Sequence, residues 1–273
     1  MFAPQFQALN SEAGIAASAI AHGITSIGKA NYAAKDYYLA AFFNLSIAFE
    51  RLGKLSFVLD HLLTNNAYPT DAQLRVLGHR LVDLLAAVEE IRVRRGLKRV
   101  VPLPTDPIRL GIIEVLSDFA TATRYYNLDL LVGGRAARMQ EPIAAWHARV
   151  GVPIIAAHYS NRQRAKDEAQ AQIMGALLGD VASVLHTAED GSTITSFTAA
   201  SMASGQINTL QRYGRMYSLP FPKSRTDARP PSLRLNRRRE HECFRDLHWS
   251  AQPSRHAALR YRLSSSDVFD RPK

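Results

Sequence analysis

Apolar side chains recur every three to four residues along most of the first 220 positions, which is the period of one buried helical face. The pattern is clearest over residues 32–63 and predicts one long helix there. Its predicted buried face consists of Tyr38, Phe42, Leu45, Phe49, Leu52, Leu59 and Leu63. Leu39, Phe43, Ile47 and Leu55 widen that face, so we expect this helix to be central.

The same period predicts further helices on both sides of this one. They cover about residues 11–29, 72–95, 107–129, 138–150, 153–187 and 194–217. No segment alternates apolar and polar residues as a half-buried strand would. We therefore predict an all-α fold, an up-and-down helical bundle with additional C-terminal helices. The expected organisation is a bundle over 1–136, further helices packing on it over 137–220, and a tail over 221–273.

Charge separates that tail from the body. Residues 221–273 hold 13 Lys and Arg against 6 Asp and Glu, a net charge of +7, whereas the whole chain carries +10. From residue 222 onward there is no Gly, Ile or Met, but there are eleven Arg, seven Ser and five Pro, which predicts a disordered, Arg/Pro/Ser-rich tail. Three interpretations stay open: an arm that binds nucleic acid, an inert extension, or an out-of-frame translation of GC-rich DNA.

Composition excludes several classes of site. The chain has one cysteine, Cys243, so neither a disulfide framework nor a cysteine-based zinc site is expected. Its apolar runs are shorter than the roughly 20 residues of a membrane span, and no signal-peptide pattern begins it. We expect a cytoplasmic protein without membrane segments, cofactor or metal. His147, His158 and His186 lack metal-ligand spacing, and a metal-dependent hydrolase would need carboxylates beside them.

Two polar groups could carry chemistry. Arg75, His79 and Asp83 are spaced four residues apart on the predicted helix 72–95, with Arg80 beside them. Such spacing predicts a shared face that could bind phosphate or perform acid–base chemistry. The alternative is a set of interhelical hydrogen bonds or a solvated face.

The second group is the run Arg124-Tyr125-Tyr126-Asn127-Leu128-Asp129 at the end of the predicted helix 107–129. Arg124 and Tyr125 could contact phosphates and stack on bases, with Asn127 beside them. The alternative is that these residues only cap and pack the helix end. A basic patch, which could bind nucleic acid or simply complement a helix dipole, consists of Arg92, Arg94, Arg95, Lys98 and Arg99.

Three segments together resemble the HEPN superfamily of helical nucleotide- and RNA-associated domains. They are AKDYYLAAFFNLSIAFERLGK with its Glu50/Lys54 turn, LRVLGHRLVDLL with His79, and TRYYNLD with Arg124-Tyr125. The resemblance covers about residues 30–135. It implies a helical bundle that commonly dimerises. Many such proteins are ribonuclease toxins or phage-defence factors, and others are non-catalytic partners of nucleotidyltransferases.

The chain departs from the ribonucleases of this superfamily, which share an Arg-x4–6-His motif. Arg75 and His79 are separated by three residues, and Arg138 and His147 by eight. Arg234 and His241 have the right spacing but lie in the tail, where Leu235 replaces the usual polar residue. The sequence therefore favours binding of RNA or a nucleotide, and leaves open whether the protein is an enzyme.

A structural or oligomerisation module is the alternative function. RNA or nucleotide binding predicts that Arg75, His79, Arg80 and Arg124 converge on one groove, within a protomer or across a homodimer. A structural module predicts that these side chains are scattered or individually paired.

Overall fold

The computed structural model describes residues 4–98 and 100–219, and helices dominate this part of the chain. The α-helices are α1 Pro4–Ile27, α2 Asp36–Asn65, α3 Asp71–Val76, α4 Leu81–Arg94, α5 Pro107–Thr121, α6 Tyr126–Val132, α7 Pro142–Trp146, α8 Val152–His158, α9 Asn161–Leu178 and α10 Phe197–Tyr217. The prediction of an all-α helical bundle is confirmed. Among these residues, no helix is long and apolar enough to cross a membrane. The predictions for the tail 221–273 and for Arg99 lie outside the described residues.

A small hairpin interrupts the helical pattern between α9 and α10. Strand β1 (His186–Thr187) pairs antiparallel with β2 (Thr193–Ile194), with His186 opposite Ile194. Gly191 in the connecting turn has φ 88°, a conformation that glycine adopts without steric cost. The sequence predicted the turn, but it wrongly extended a helix to residue 187.

The first helices alternate in direction around α2. An ion pair between Arg51 and Glu12 and the close approach of Gly23 to Leu45 show that α1 and α2 are antiparallel. After α2 the chain returns along it through α3, because Gln73 lies beside His61. Helix α4 then starts near the middle of α2.

The core forms around the first half of α2. Phe42 is fully buried, with ring centroids 5.6 Å from Phe119 of α5 and 5.3 Å from Trp146 of α7. Tyr38, Leu45 and most of the other buried apolar residues join the same cluster. Because Trp146 and Val150 belong to it as well, segments 1–136 and 137–220 share one hydrophobic core.

The second half of α2 does not follow the predicted apolar stripe. Leu59 and Leu63 are 42% and 71% exposed, and Gly53 and Asp60 face inward instead. A Cβ at Gly53 would lie 2.5 Å from Leu84, so α2 and α4 approach closely there. The face changes because a glycine and a paired carboxylate, rather than leucines, make the contact with α4.

Asp60 is a buried carboxylate that receives hydrogen bonds from two arginines at the end of α4. Arg94 Nη2 lies 2.6 Å from Oδ2, and Arg95 Nε and Nη2 bond Oδ1 and the Asp60 carbonyl. Burial by itself raises the pKa of the Asp60 carboxyl, but the hydrogen bonds and charges of Arg95 and Arg94 outweigh it and hold the pKa below its usual value. The ion pairs therefore stabilise the charged form.

We expect Asp60→Asn to lower the free energy of unfolding by about 1–3 kcal/mol at neutral pH, because two guanidinium groups lose their shared charge partner. The pKa of Asp60 in the folded state lies below its unfolded-state value of about 3.9, so the ion pairs contribute their full stability above that pH. This stability is lost as the pH falls through the folded-state pKa. Urea unfolding at several pH values should therefore show the difference between Asp60→Asn and the parent shrinking in acid. Asp71→Asn, in an exposed pair with Arg75, is the matched control and should change stability little. A pH-independent difference would contradict the prediction.

Helices α7 and α8 form one rod through a π turn at His147–Gly151. The sequence placed a break before Pro153, and that prediction is wrong. Pro153 has no N–H for the carbonyl of Arg149 four residues earlier, and the wider π turn accommodates the loss. The true break comes later, where extended Tyr159 ends α8 and the Ser160 hydroxyl caps α9.

Candidate functional site

The predicted helix 72–95 is two helices in the structure. Helix α3 ends at Val76, and α4 begins at Leu81. Between them Gly78 has φ 61°, a left-handed conformation that breaks the helix. The buried N–H of Leu81 donates to the Ser117 hydroxyl of α5, at 3.0 Å, which fixes the start of α4. The prediction that Arg75, His79 and Asp83 share one helical face is therefore wrong.

Arg75, Arg80 and His79 each have a separate partner, which is the individual pairing that a structural module predicted. Arg75 pairs with Asp71 on α3, and both side chains are largely exposed. Arg80, the N-cap of α4, has its Nη1 3.4 Å from Asp83 in the first turn. Arg75, Arg80 and Asp83 thus form exposed local pairs, which contribute little to stability.

His79 instead contacts the middle of α2. Its Nδ1 lies 3.0 Å from Glu50 Oε1, and Lys54 Nζ lies 2.8 Å from the same oxygen. Burial alone raises the pKa of Glu50, but hydrogen bonds and charges from Lys54 and His79 more than offset it, so the pKa is lower than usual. The ionised carboxylate can only accept, so Nδ1 donates and Nε2 is left without a hydrogen bond among the described residues. We call Glu50, Lys54 and His79 the His79 cluster.

The Arg124-Tyr125 motif does not end a helix as predicted. Helix α5 ends at Thr121, because Ala122 takes a non-helical conformation with φ −140°. A short 3₁₀ turn, Thr123–Tyr125, then leads into α6. This bend turns the motif back over α2 and creates a small concavity.

That concavity is the Arg124 pocket, with a volume of about 80 Å³. The pocket is lined by Leu39, Thr123, Arg124, Tyr125, Tyr126, Asn127, Leu128, Glu141 and Pro142. Three residues that the sequence analysis selected, Arg124, Tyr125 and Asn127, thus line one pocket. Glu141 was missed, because its only sequence signal is that it precedes Pro142 as a helix cap; its Oε2 accepts from the Ala144 N–H at 2.7 Å.

Arg124 is the strongest candidate for binding a ligand. Its guanidinium carbon lies 5.7 Å from the ring centroid of Phe43 on α2, a cation–π distance. Its Nε is buried, and no described residue gives the side chain a hydrogen bond or an ion pair. Because the guanidinium has no anionic partner among the described residues, its terminal N–H groups are available to an incoming anion.

Helix α2 connects the pocket to the His79 cluster. Phe43 contacts Arg124, and Glu50 contacts His79. These α2 residues are seven positions apart, which places them on the same helical face about 10 Å from each other. Ile47 lies between them on that face, and Phe43 and Ile47 are each 38% exposed. We call this strip, from Arg124 to His79, the α2 face.

Most of the predicted basic patch is used in ion pairs. Arg92 pairs with Glu89, and Arg94 and Arg95 share Asp60. Lys98 is exposed after α4 and has no ion pair within the described part of the chain. Since three of these cations are already neutralised locally, the patch is a weaker candidate than the α2 face.

The three histidines that lack metal-ligand spacing lie in different settings, and His147 begins the π turn. His158 stacks on Tyr213 with ring centroids 3.7 Å apart, and His186 packs edge-on against Tyr32. Burial, with the nearby charge of Arg212, lowers the pKa of His158. Within residues 4–98 and 100–219, no three His, Cys, Asp or Glu side chains are grouped to hold a metal ion.

Glu189 is a buried carboxylate outside the groups selected from the sequence, and it has a partner. Glu189 in the hairpin turn is 8% exposed, and the Tyr38 hydroxyl donates to its Oε1 at 3.3 Å. Burial and then the Glu189 charge raise the pKa of Tyr38 above its usual value. Lys35 Nζ donates to the Ala188 carbonyl, at 2.7 Å, beside this pair. The contacts fasten the hairpin to the start of α2.

Comparison of the chain with family models, with curated proteins and with solved structures finds no match. The HEPN resemblance therefore stays a prediction from the sequence. Function has to be argued from the Arg124 pocket and the α2 face.

Proposed function

We propose that this protein binds single-stranded RNA or nucleotides along the α2 face. The observation that carries the proposal is that one helical face brings an unpaired arginine and an exposed histidine within about two turns of each other. Partly exposed aromatic and apolar side chains, Phe43 and Ile47, lie between them. Cations that contact phosphates, beside rings that stack on unpaired bases, are what single-strand recognition uses.

Tyr125 adds a second stacking surface at the mouth of the pocket. Its side chain is 61% exposed, so a base could stack on the ring without any rearrangement of the core. Arg80, which follows His79 in the chain, is exposed but paired with Asp83. The HEPN resemblance is consistent with this activity. It also places such proteins in toxin or phage-defence systems, which inspection of neighbouring genes would check.

Binding can be measured with a labelled single-stranded RNA and the full-length chain, at about 50 and 200 mM salt. Arg124→Ala should weaken binding and reduce the salt slope by about 0.7, the value for one lost phosphate contact on a single strand. Tyr125→Ala should lower affinity by the roughly 1–3 kcal/mol of one stacked base and leave the slope unchanged.

Arg162→Ala is the matched control. Arg162 is an exposed arginine on α9, which packs on α10, so its replacement removes the same charge away from the α2 face. The basic tail is present in every variant, so its contribution cancels in the comparison. The proposal fails if Arg124→Ala and Arg162→Ala change affinity equally, or if the parent protein shows no salt-dependent binding.

A second candidate function is self-assembly, and α6 favours it. Leu128, Leu131 and Val132 on this helix are 61%, 82% and 80% exposed, and Tyr125 in the preceding 3₁₀ turn is 61% exposed beside them in the chain. Exposed apolar patches of this kind mark interaction surfaces. A homodimer formed through α6 should become monomeric in Leu131→Asp, as measured by light scattering, with Leu177→Asp on exposed α9 as the control.

A further inference from the structure

We infer that the Arg124 pocket binds a terminal phosphate group, so that the protein prefers RNA ends or mononucleotides that carry a phosphate monoester. The inference rests on the proposed function and names the part of the ligand that the pocket receives.

The pocket is large enough for a phosphate group. Its volume is about 80 Å³, several times the roughly 10–15 Å³ that one water molecule needs. A phosphate that contacts Arg124 in this space would leave its attached base near the exposed ring of Tyr125, which is available for stacking.

The polar groups of the pocket suit a phosphate. Arg124 offers a guanidinium whose paired N–H donors match two phosphate oxygens. Neither Tyr126 nor Asn127 uses its side chain in a hydrogen bond with any described residue, so both could donate to the remaining oxygens. The Nε of Arg124 is covered, so the contact would come from its terminal nitrogens.

A terminal phosphate fits this arrangement better than an internal phosphodiester. It enters from one side with no chain continuing beyond it, and it carries about −1.5 to −2 charges at neutral pH. Glu141 also lines the pocket, and its carboxylate opposes any anion. Attraction to Arg124 grows with the charge of the phosphate, so the terminal group gains more from direct contact than a singly charged phosphodiester does. Repulsion from Glu141 grows in the same way, so removing that charge should favour the terminal group most.

The experiment compares two labelled RNAs of one sequence that differ only in a 5′-phosphate or a 5′-hydroxyl, with a 3′-phosphate pair as the second set. For one of the two ends, we expect the full-length protein to bind the phosphorylated RNA roughly tenfold more tightly than its hydroxyl-ended partner. This is the size of one charge-assisted hydrogen-bonded contact. Arg124→Gln should abolish that preference. Inorganic phosphate should compete with the phosphorylated RNA.

Glu141→Gln gives an independent test that leaves Arg124 intact. Glutamine retains an oxygen that can accept from the Ala144 N–H, so the cap of α7 is kept while the opposing charge is removed. We expect this variant to increase the preference for the phosphorylated end. The Glu141→Gln comparison tests whether the phosphate binds in the Arg124 pocket even if Arg124→Gln fails to fold.

The outcomes separate this inference from the proposed function. RNA binding that depends on Arg124 but is equal for phosphate and hydroxyl ends would overturn the terminal-phosphate inference and leave the proposed function standing. Absence of RNA binding by the parent protein would overturn both. An end preference that Glu141→Gln leaves unchanged would place the phosphate elsewhere and overturn the assignment to this pocket.

Discussion

Replacing Phe42 with alanine is expected to lower the free energy of unfolding by about 3–5 kcal/mol, the range for a buried aromatic side chain. Phe42 is fully buried and packs between Phe119 and Trp146, which come from α5 and α7. Removing the ring would leave a cavity between α2, α5 and α7, because packed helices relax only partly into such a space. Chemical denaturation of the full-length chain, followed by circular dichroism, measures the change.

The neighbouring Phe43 is the matched control, because the side chain is the same and only its burial differs. Phe43 is 38% exposed, packs edge-on against the buried Phe119, and lies at a cation–π distance from Arg124. We expect Phe43→Ala to cost about 1–2 kcal/mol, since less apolar area leaves contact. Equal losses for the two variants would contradict the placement of the core. Phe43→Ala should also weaken RNA binding, because Phe43 contacts Arg124 on the α2 face.

Gly111→Ala should destabilise the protein by about 1–3 kcal/mol, although alanine is the better helix former. A Cβ at Gly111 would lie 2.6 Å from the carbonyl oxygen of Arg149. That oxygen belongs to the backbone of the π turn, so relief requires a shift of α5 against the α7–α8 rod. The same denaturation experiment tests it.

Gly14→Ala provides the control of opposite sign. Gly14 is exposed in α1, and nothing lies within 4 Å of the position its Cβ would occupy. Alanine there should raise stability by roughly 0.5–1 kcal/mol through backbone entropy alone. If Gly111→Ala also stabilised the protein, the close packing of α5 on the π turn would be refuted.

The helical elements follow largely from local patterning. The three- to four-residue period over 32–63 predicted α2, and the Asp106-Pro107 start of α5 is confirmed by the Asp106 cap on the Arg109 N–H. The errors fall where tertiary contacts outweigh the period. Gly78 breaks a helix that leucines on either side appeared to continue, and the π turn carries a helix through Pro153.

The candidate site was only partly predictable. Arg124, Tyr125 and Asn127 are contiguous in sequence, so a local motif could select them together. Phe43, Glu50 and Glu141 join them from other elements, and no local spacing reports that contact. Arg75 was selected for its spacing to His79, but its partner is Asp71, because the chain bends at Gly78 between them.

The sequence by itself determined that the body is helical, that α2 carries an apolar face, and that Arg124 lies in an aromatic motif. These properties depend on residues a few positions apart, whose spacing along a helix is fixed by backbone geometry. Only the tertiary structure decided that Arg124 is unpaired over Phe43, that His79 binds Glu50, and that Asp60 takes both Arg94 and Arg95. Charge partners are set by which helices pack together, and that depends on the whole core rather than on any one segment.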